Sequence, residues 1–233
     1  MKKLLGIALV AGLLALPMTA TARPRGGGGY NRSGSVQGAN GHGGSWQGKG
    51  TWNRQNGTAT GTYQGTRTNN QGKTSTVNRE TDVTKTGTNS WHRNTNETVT
   101  GPNGQTRSWK ASGDGSVQKT TNGYEKTYNG TVTNSKGKTV DVKKEVDVTK
   151  NADGTVTKTR TVDYSTPDGK PLSESKSTTT ITPGQGSKTE GTWTNEKNGN
   201  VRTYNSSSTW TGWGEKSTTT VIGPKGNTTT ETP

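Results

Sequence analysis

Residues 139–149 read TVDVKKEVDVT, and one of the two interleaved rows in this stretch is Val140, Val142, Lys144, Val146, Val148. The other row contains only Thr, Asp, Lys and Glu. Successive side chains of a β-strand point to opposite faces, so this alternation predicts a strand with one mainly apolar face. Residues 155–163 (TVTKTRTVD) alternate threonine with Val, Lys, Arg and Val, which predicts a second strand of the same kind.

Glycine-containing turn signals separate such stretches along the chain. Glycine, with Asn or Asp beside it, accepts the positive φ that tight hairpin turns require. No amphipathic helical pattern follows residue 22. We therefore expect an all-β fold, an antiparallel meander of about 13 short strands with a thin or single-layer apolar core. The turn signals are Asn56-Gly57, Gln71-Gly72, Asn103-Gly104, Asp114-Gly115, Asn122-Gly123, Lys136-Gly137, Asp153-Gly154, Asp168-Gly169, Asn198-Gly199 and Lys225-Gly226.

An internal repeat organises the region of residues 45–233. Residues 63–85 match residues 128–150 at an offset of 65, with fourteen of 23 positions identical. Such self-similarity is typical of repeat proteins, in which each unit is one group of secondary-structure elements. We expect three related units, near residues 63–127, 128–203 and 204–233.

The amino terminus has the three parts of a secretory signal peptide. Lys2 and Lys3 precede an apolar run at residues 4–16, and small residues lead to a predicted cleavage site between Ala22 and Arg23. The apolar run is shorter than the roughly 20 residues of a transmembrane helix, and we expect no membrane span in the mature chain. Residues 1–22 are thus predicted to be a helical signal peptide of an exported protein that is periplasmic, cell-surface or secreted.

The segment after the predicted cleavage site and the overall composition set limits on the core. Residues 23–44 are rich in Gly, Ser and Asn, which predicts a flexible lead-in. Hydrophobic residues make up only 21% of the chain, phenylalanine and cysteine are absent, and Leu172 is the one leucine beyond the signal segment. This inventory cannot build a thick core. It leaves intrinsic disorder of a secreted chain as a lesser alternative.

The sequence offers little support for catalysis. There is no cysteine, and the two histidines, His42 and His92, lie far apart in the sequence. A thiol nucleophile and a His-based zinc site therefore have no candidate residues. We expect no enzyme, no cofactor and no metal site.

Two pairs of carboxylates recur at the repeat offset. Glu80 and Asp82 correspond to Glu145 and Asp147, and residues i and i+2 share one face of a strand. Acid–base catalysis or cation binding is one interpretation. Lysines and arginines surround both pairs, so we expect cross-strand ion pairing instead. These cations are Arg79, Lys85, Lys143, Lys144 and Lys150.

Charge and aromatic content suggest a partner. The chain has a net charge of +14, with seven tryptophans and six tyrosines. The aromatic residues either fill the core or stack on sugars or bases while Lys and Arg meet anionic groups. We expect a non-enzymatic structural or surface-associated protein that binds an acidic polysaccharide, lipopolysaccharide or nucleic acid, and alternatively a homo-oligomeric scaffold or fibre. The predicted binding residues are Trp52, Arg54, Trp91, Arg93, Trp193, Lys197, Trp213 and Lys216.

Overall fold

The chain folds into one antiparallel β-sheet. The computed structural model describes residues 28–37, 43–55, 57–69, 71–211 and 214–231. Within these ranges the regular elements are fourteen strands, and no helix is present. The strands are β1 (Gly28–Gln37), β2 (Gly43–Gln55), β3 (Thr58–Asn69), β4 (Thr74–Lys85), β5 (Ser90–Thr100), β6 (Thr106–Thr120), β7 (Gly123–Asn134), β8 (Thr139–Lys150), β9 (Val156–Ser165), β10 (Pro171–Thr182), β11 (Gly186–Asn195), β12 (Asn200–Thr211), β13 (Gly214–Ile222) and β14 (Thr228–Glu231).

The strands follow one another in the sheet in their order along the chain. Every neighbouring pair is antiparallel, from β1 at one edge to β14 at the other. Substantial contacts between described strands join only such sequential pairs. With about 4.8 Å between strands, the sheet extends for roughly 60 Å across the strand direction. The predicted all-β antiparallel meander is thus confirmed, with thirteen strands of nine or more residues and the four-residue β14.

Most of the predicted turns connect consecutive strands. Glycines at eight of the ten predicted turns have positive φ, among them Gly57, Gly104 and Gly137. The prediction is wrong for Asp114-Gly115, which lies inside β6, where a glycine is needed for the close approach of an aromatic ring. The sequence also missed the turn at Gly184, between β10 and β11.

The two faces of the sheet differ in burial. In the part of the chain that the structure describes, the buried hydrophobic residues are four valines, Val132, Val142, Val146 and Val162, and all four lie on the same face by strand register. The first, second and fourth form the core cluster, against which Trp109, Ala111, Val140 and Tyr164 pack. No described residue belongs to a second layer, so this core is one side chain thick.

Aromatic rings cover the glycines of adjacent strands on the same face. A Cβ atom built on Gly61 would lie 2.8 Å from the indole of Trp52, and one built on Gly113 would lie 2.7 Å from the phenol ring of Tyr128. Real Cβ atoms do not approach this closely, so both positions accept glycine only. Each of these rings shields glycine backbone, which a second sheet or a helix would shield in a two-layer protein.

The repeat offset is visible in the strand bounds. Strands β7 and β8 begin and end 65 residues after β3 and β4, the offset of the sequence match. The division into three units, near residues 63–127, 128–203 and 204–233, stays a prediction.

The amino-terminal predictions fall mostly outside the described residues. Residues 1–27, which include the predicted signal peptide and the Ala22–Arg23 cleavage site, are among those not described. Residues 28–37, part of the predicted flexible segment, form β1 and pair with β2 over ten positions. Backbone hydrogen bonds to β2 define this strand, and glycine and serine accept that extended backbone without an apolar pattern. Among the described residues no helix is long and apolar enough to cross a membrane.

Candidate functional site: a basic sheet face

Strand register separates the charged residues of β2 to β12 between the two faces. Residues paired directly across strands share a face, and the face alternates along each strand. The face that contains the four buried valines also contains thirteen Lys and Arg residues and a single acid, Glu97. We call it the aromatic–basic face. The cations are Arg54, Arg67, Arg79, Lys85, Arg93, Arg107, Lys119, Lys126, Lys144, Lys150, Lys158, Arg160 and Arg202.

The same face carries the aromatic residues whose side chains the structure describes. They belong to eight strands between β2 and β12, and each pairs with another residue of this face. They are Trp52, Tyr63, Trp91, Trp109, Tyr124, Tyr128, Tyr164, Trp193 and Tyr204.

The opposite face is polar and acidic, and we call it the threonine–acid face. Pairs of hydroxyl groups hydrogen-bond across its strands, for example Thr51 to Thr62 and Thr133 to Thr139, each at 2.8 Å. In β2 to β12 it contains ten acids and five lysines. The acids are Glu80, Asp82, Asp114, Glu125, Asp141, Glu145, Asp147, Asp163, Glu174 and Glu190, and the lysines are Lys49, Lys110, Lys143, Lys176 and Lys188.

Several cations of the aromatic–basic face converge near the middle of the sheet. Lys144 lies between Tyr128 of β7 and Val162 of β9, with Lys126 and Arg160 one step along those strands. Arg93 of β5 lies in the row of register positions that contains Gly113, Gly130 and Val142, and its Nε donates a hydrogen bond of 3.2 Å to the Thr95 hydroxyl. We call Arg93, Lys126, Lys144, Lys158 and Arg160 the central cationic cluster.

The lowered pKa of Lys144 and an unpartnered arginine donor both reflect the excess of positive charge in this cluster. Burial, followed by the charges of Arg160, Lys126, Lys158 and Arg93 in decreasing order of effect, lowers the pKa of Lys144 to about 8. The Nε of Arg160 is buried and has no hydrogen-bond partner among the described residues. Burial likewise raises the pKa of the Tyr128 and Tyr164 phenols. The site therefore favours an anion that would supply the missing negative charge.

Two tryptophans of this face make cation–π contacts. The Nζ of Lys126 lies 4.9 Å from the centre of the Trp91 ring, and the guanidinium carbon of Arg202 lies 5.5 Å from that of Trp193. Such cation–π contacts place a positive charge on the outer face of an indole. Because the inner side of Trp91 covers Gly115, its two faces are both occupied. This arrangement favours the core-filling interpretation of the aromatic residues and leaves ligand recognition mainly to charge.

The structure brings some of the predicted binding residues together. Trp52 and Arg54 in β2 and Trp91 and Arg93 in β5 all lie on the aromatic–basic face, as does Trp193. Arg54 and Arg93 occupy one row of register positions three strands apart, or about 14 Å.

The remaining predicted residues are placed differently. Lys197 is in the exposed turn between β11 and β12, and the cation over Trp193 is Arg202 instead. Trp213 lies outside the described residues. Lys216 pairs in β13 with Thr209, and its side chain is among those not described. Sequence reasoning missed Lys126, Lys144 and Arg160, although their alternation with valine or tyrosine was a signal for the same face.

The recurring carboxylate pairs do not form the expected cross-strand ion pairs. Arg79 pairs with Glu97, on the face opposite to Glu80 and Asp82. Asp82 accepts a hydrogen bond of 2.9 Å from the Thr60 hydroxyl instead. The prediction failed because adjacent residues of a strand point to opposite faces.

In the second copy the lysines are divided between the faces for the same reason. Lys144 and Lys150 lie on the aromatic–basic face, away from Glu145 and Asp147. Lys143 does pair with Glu145 at 2.8 Å, but along one strand rather than across two. Asp147 accepts a hydrogen bond from Thr159. No three His, Cys, Asp or Glu side chains of the described residues come together as metal ligands would.

His92 is part of a polar network on the threonine–acid face. Its Nδ1 lies 2.8 Å from Asp114 Oδ1, and its Nε2 lies 3.2 Å from Ser112 Oγ and from Asn94 Oδ1. The hydrogen bond to Asp114 is the main cause that raises the pKa of His92.

The order Asp114–His92–Ser112 is that of a serine-hydrolase triad, which the sequence did not indicate. The Ser112 hydroxyl, however, donates to Asn94 Oδ1 at 2.7 Å, and Asp114 is largely exposed. Strand β6 has a partner on both sides, so its backbone N–H groups pair within the sheet and do not form an oxyanion hole. The geometry therefore supports cross-strand hydrogen bonding between β5 and β6.

No protein-family model matches this chain, and no curated protein or solved structure matches it either.

Proposed function

We propose that this chain is an exported, non-enzymatic β-sheet protein that binds polyanions through its aromatic–basic face. The observation that carries the proposal is the presence of thirteen cations and one acid on that face of β2 to β12. From the composition alone, with 30 basic and 16 acidic residues, charges of both signs are expected on both faces. Concentration on one face creates a positive field over a surface long enough for a polymer.

The chemistry of the ligand follows from the charge rather than from the rings. Trp91 and Trp193 have cations over their outer faces, so phosphate, sulfate or carboxylate groups are better ligands than neutral sugar rings. Acidic polysaccharides, lipopolysaccharide and nucleic acids all carry such groups. Binding releases counterions from the polymer, so its affinity falls steeply with salt.

A pair of matched variants tests this proposal. Arg67→Gln, Lys119→Gln and Lys158→Gln together remove three exposed cations from the aromatic–basic face. Lys49→Gln, Lys110→Gln and Lys188→Gln remove three from the threonine–acid face and change the net charge equally. All six positions are exposed.

The assay compares dextran sulfate with neutral dextran between 50 and 300 mM salt. We expect the wild type to bind dextran sulfate alone. We also expect the first variant to lower the slope of log affinity against log salt by about 2, at roughly 0.7 per lost contact, and the second to leave it unchanged. Equal effects of the two variants, or binding to neutral dextran as tight as to dextran sulfate, would contradict the proposal.

Self-association into a scaffold is a second candidate, favoured by the opposite charges of the two faces. The threonine–acid face has an excess of acids, and the aromatic–basic face of another copy complements it. Among the described strands, the edge strands β1 and β14 each have one neighbour, so edge pairing is a second route. Sedimentation at increasing concentration distinguishes these routes. Face stacking should dissociate at high salt, edge pairing should persist, and a strict monomer would exclude both.

A further inference from the structure

We propose that the central cationic cluster is a built site for one phosphate or sulfate group of the bound polymer, and that Lys144 gains a proton when this group binds. The proposal rests on the polyanion binding proposed above and names its central subsite. Proton uptake by Lys144 distinguishes this subsite from a general attraction between a basic face and a polyanion.

Geometry defines the subsite. Val146 of β8 pairs with both Lys126 of β7 and Arg160 of β9, and Lys144 is the next residue of this face along β8. Gly113 and Gly130 lie between Arg93 and this group in register, and the phenol ring of Tyr128 covers both of them.

The surroundings provide no competing anion. The acids of the flanking strands, Glu125 in β7 and Asp163 in β9, lie on the opposite face. The titratable and charged groups that face Lys144 from the strands packed around it are Lys126 and Tyr128 of β7, Lys158, Arg160 and Tyr164 of β9, and Arg93 of β5. Each of these groups is cationic or neutral near pH 7.

One hydrogen-bond donor in this cluster lacks an acceptor. The Nε of Arg160 is buried and unpartnered among the described residues, and a buried donor without an acceptor is costly. Guanidinium groups bind phosphate and sulfate through two parallel hydrogen bonds, and Nε is one of the two donors in the side-on geometry. A tetrahedral oxyanion above β8 would satisfy Arg160 and lie close to the ammonium group of Lys144.

Proton uptake follows from the state of Lys144 in the free protein. The pKa of Lys144 is about 8, because of burial and the neighbouring cations. At pH 8 about half of the molecules therefore carry a neutral Lys144. A bound oxyanion favours the ammonium form, so binding should take up about half a proton per site at that pH.

Calorimetry measures this uptake directly. Titrations with linear polyphosphate and with dextran sulfate at pH 8, each in Tris and in HEPES, give the number of protons exchanged from the difference in apparent heat. We expect an uptake of about 0.5 for the wild type. We expect none for Lys144→Arg, which keeps the charge but does not titrate. Lys110→Arg, on the opposite face, should behave as the wild type does.

A second measurement uses the wild type alone. The dissociation constant should rise about tenfold between pH 7 and pH 9 as Lys144 loses its proton in the free protein, and it should stay nearly constant in Lys144→Arg. If the protein takes up a proton with only one of the two polymers, the site is assigned to phosphate or to sulfate accordingly. Equal proton uptake in wild type and Lys144→Arg, or none in the wild type, would overturn the proposal. If every variant fails to bind either polymer, the function proposed above falls as well.

Discussion

Replacement of Gly115 by alanine tests whether aromatic rings really serve as the cover of this single-layer sheet. The added methyl group would lie 2.9 Å from Nε1 of Trp91 and closer still to Cε2 and Cζ2. The indole must therefore lift from the strand. Overpacking of this kind costs about 1–3 kcal/mol, and displacement from Lys126 costs about 0.5–1 kcal/mol more. The lower entropy of the unfolded alanine chain offsets about 0.4–1 kcal/mol.

The net expectation is a loss of about 1–3 kcal/mol in the free energy of unfolding. Urea denaturation followed by far-UV circular dichroism measures it. With a slope near 2 kcal/mol per molar urea, the midpoint should fall by roughly 0.5–1.5 M.

A double-mutant cycle supplies the control. Trp91→Ala removes the ring with which the new methyl group collides, so Gly115→Ala should cost less than about 0.5 kcal/mol in that background. The reasoning is refuted if Gly115→Ala is as stable as the wild type, or if its cost is the same with and without Trp91.

Three further expectations concern other parts of the sheet. Val142→Ala should lower stability by about 1–3 kcal/mol in the same urea assay, whereas Val201→Ala should change it by less than about 0.5 kcal/mol, because Val142 is 7% exposed and Val201 43%; equal losses would contradict the core assignment. The pKa of His92 is raised by Asp114, so an NMR titration should show it fall in Asp114→Asn, and the stabilisation by this pair should be complete below the unfolded pKa and be lost as pH rises through the folded one; an unchanged His92 titration would argue against the contact. Amide exchange should be slowest in β7 to β9 and fast in the four-residue edge strand β14, and exchange at random-coil rates throughout would contradict the fold.

The strand content could be predicted because its signal is local. Alternation at residues 139–149 defines which residues of β8 share a face, and the structure places Val142 and Val146 among the buried residues. Glycine turns then fix the antiparallel order of neighbouring strands. Neither inference needs any contact beyond one hairpin.

The candidate site could be predicted only in part because it depends on register across many strands. Trp91 and Arg93 share a face by their spacing alone, but the meeting of Lys126, Lys144 and Arg160 requires the pairing of β7, β8 and β9. A shift of one residue in either pairing would move one of these cations to the other face. The placement of Gly115 under Trp91 likewise depends on the pairing of β5 with β6. In the sequence, Asp114-Gly115 has the same form as a turn signal, so the pattern alone predicts a turn there.

The sequential pairing of all fourteen strands has a consequence for how such a chain changes length. Each described strand pairs only with its neighbours along the chain, and the described strands show no substantial contact between the two edges. Duplication or loss of a four-strand block, such as the 65 residues that separate β3 from β7, therefore keeps the direction and sidedness of every remaining strand. Gene rearrangement can lengthen the charged surface in whole blocks without redesign of the blocks already present.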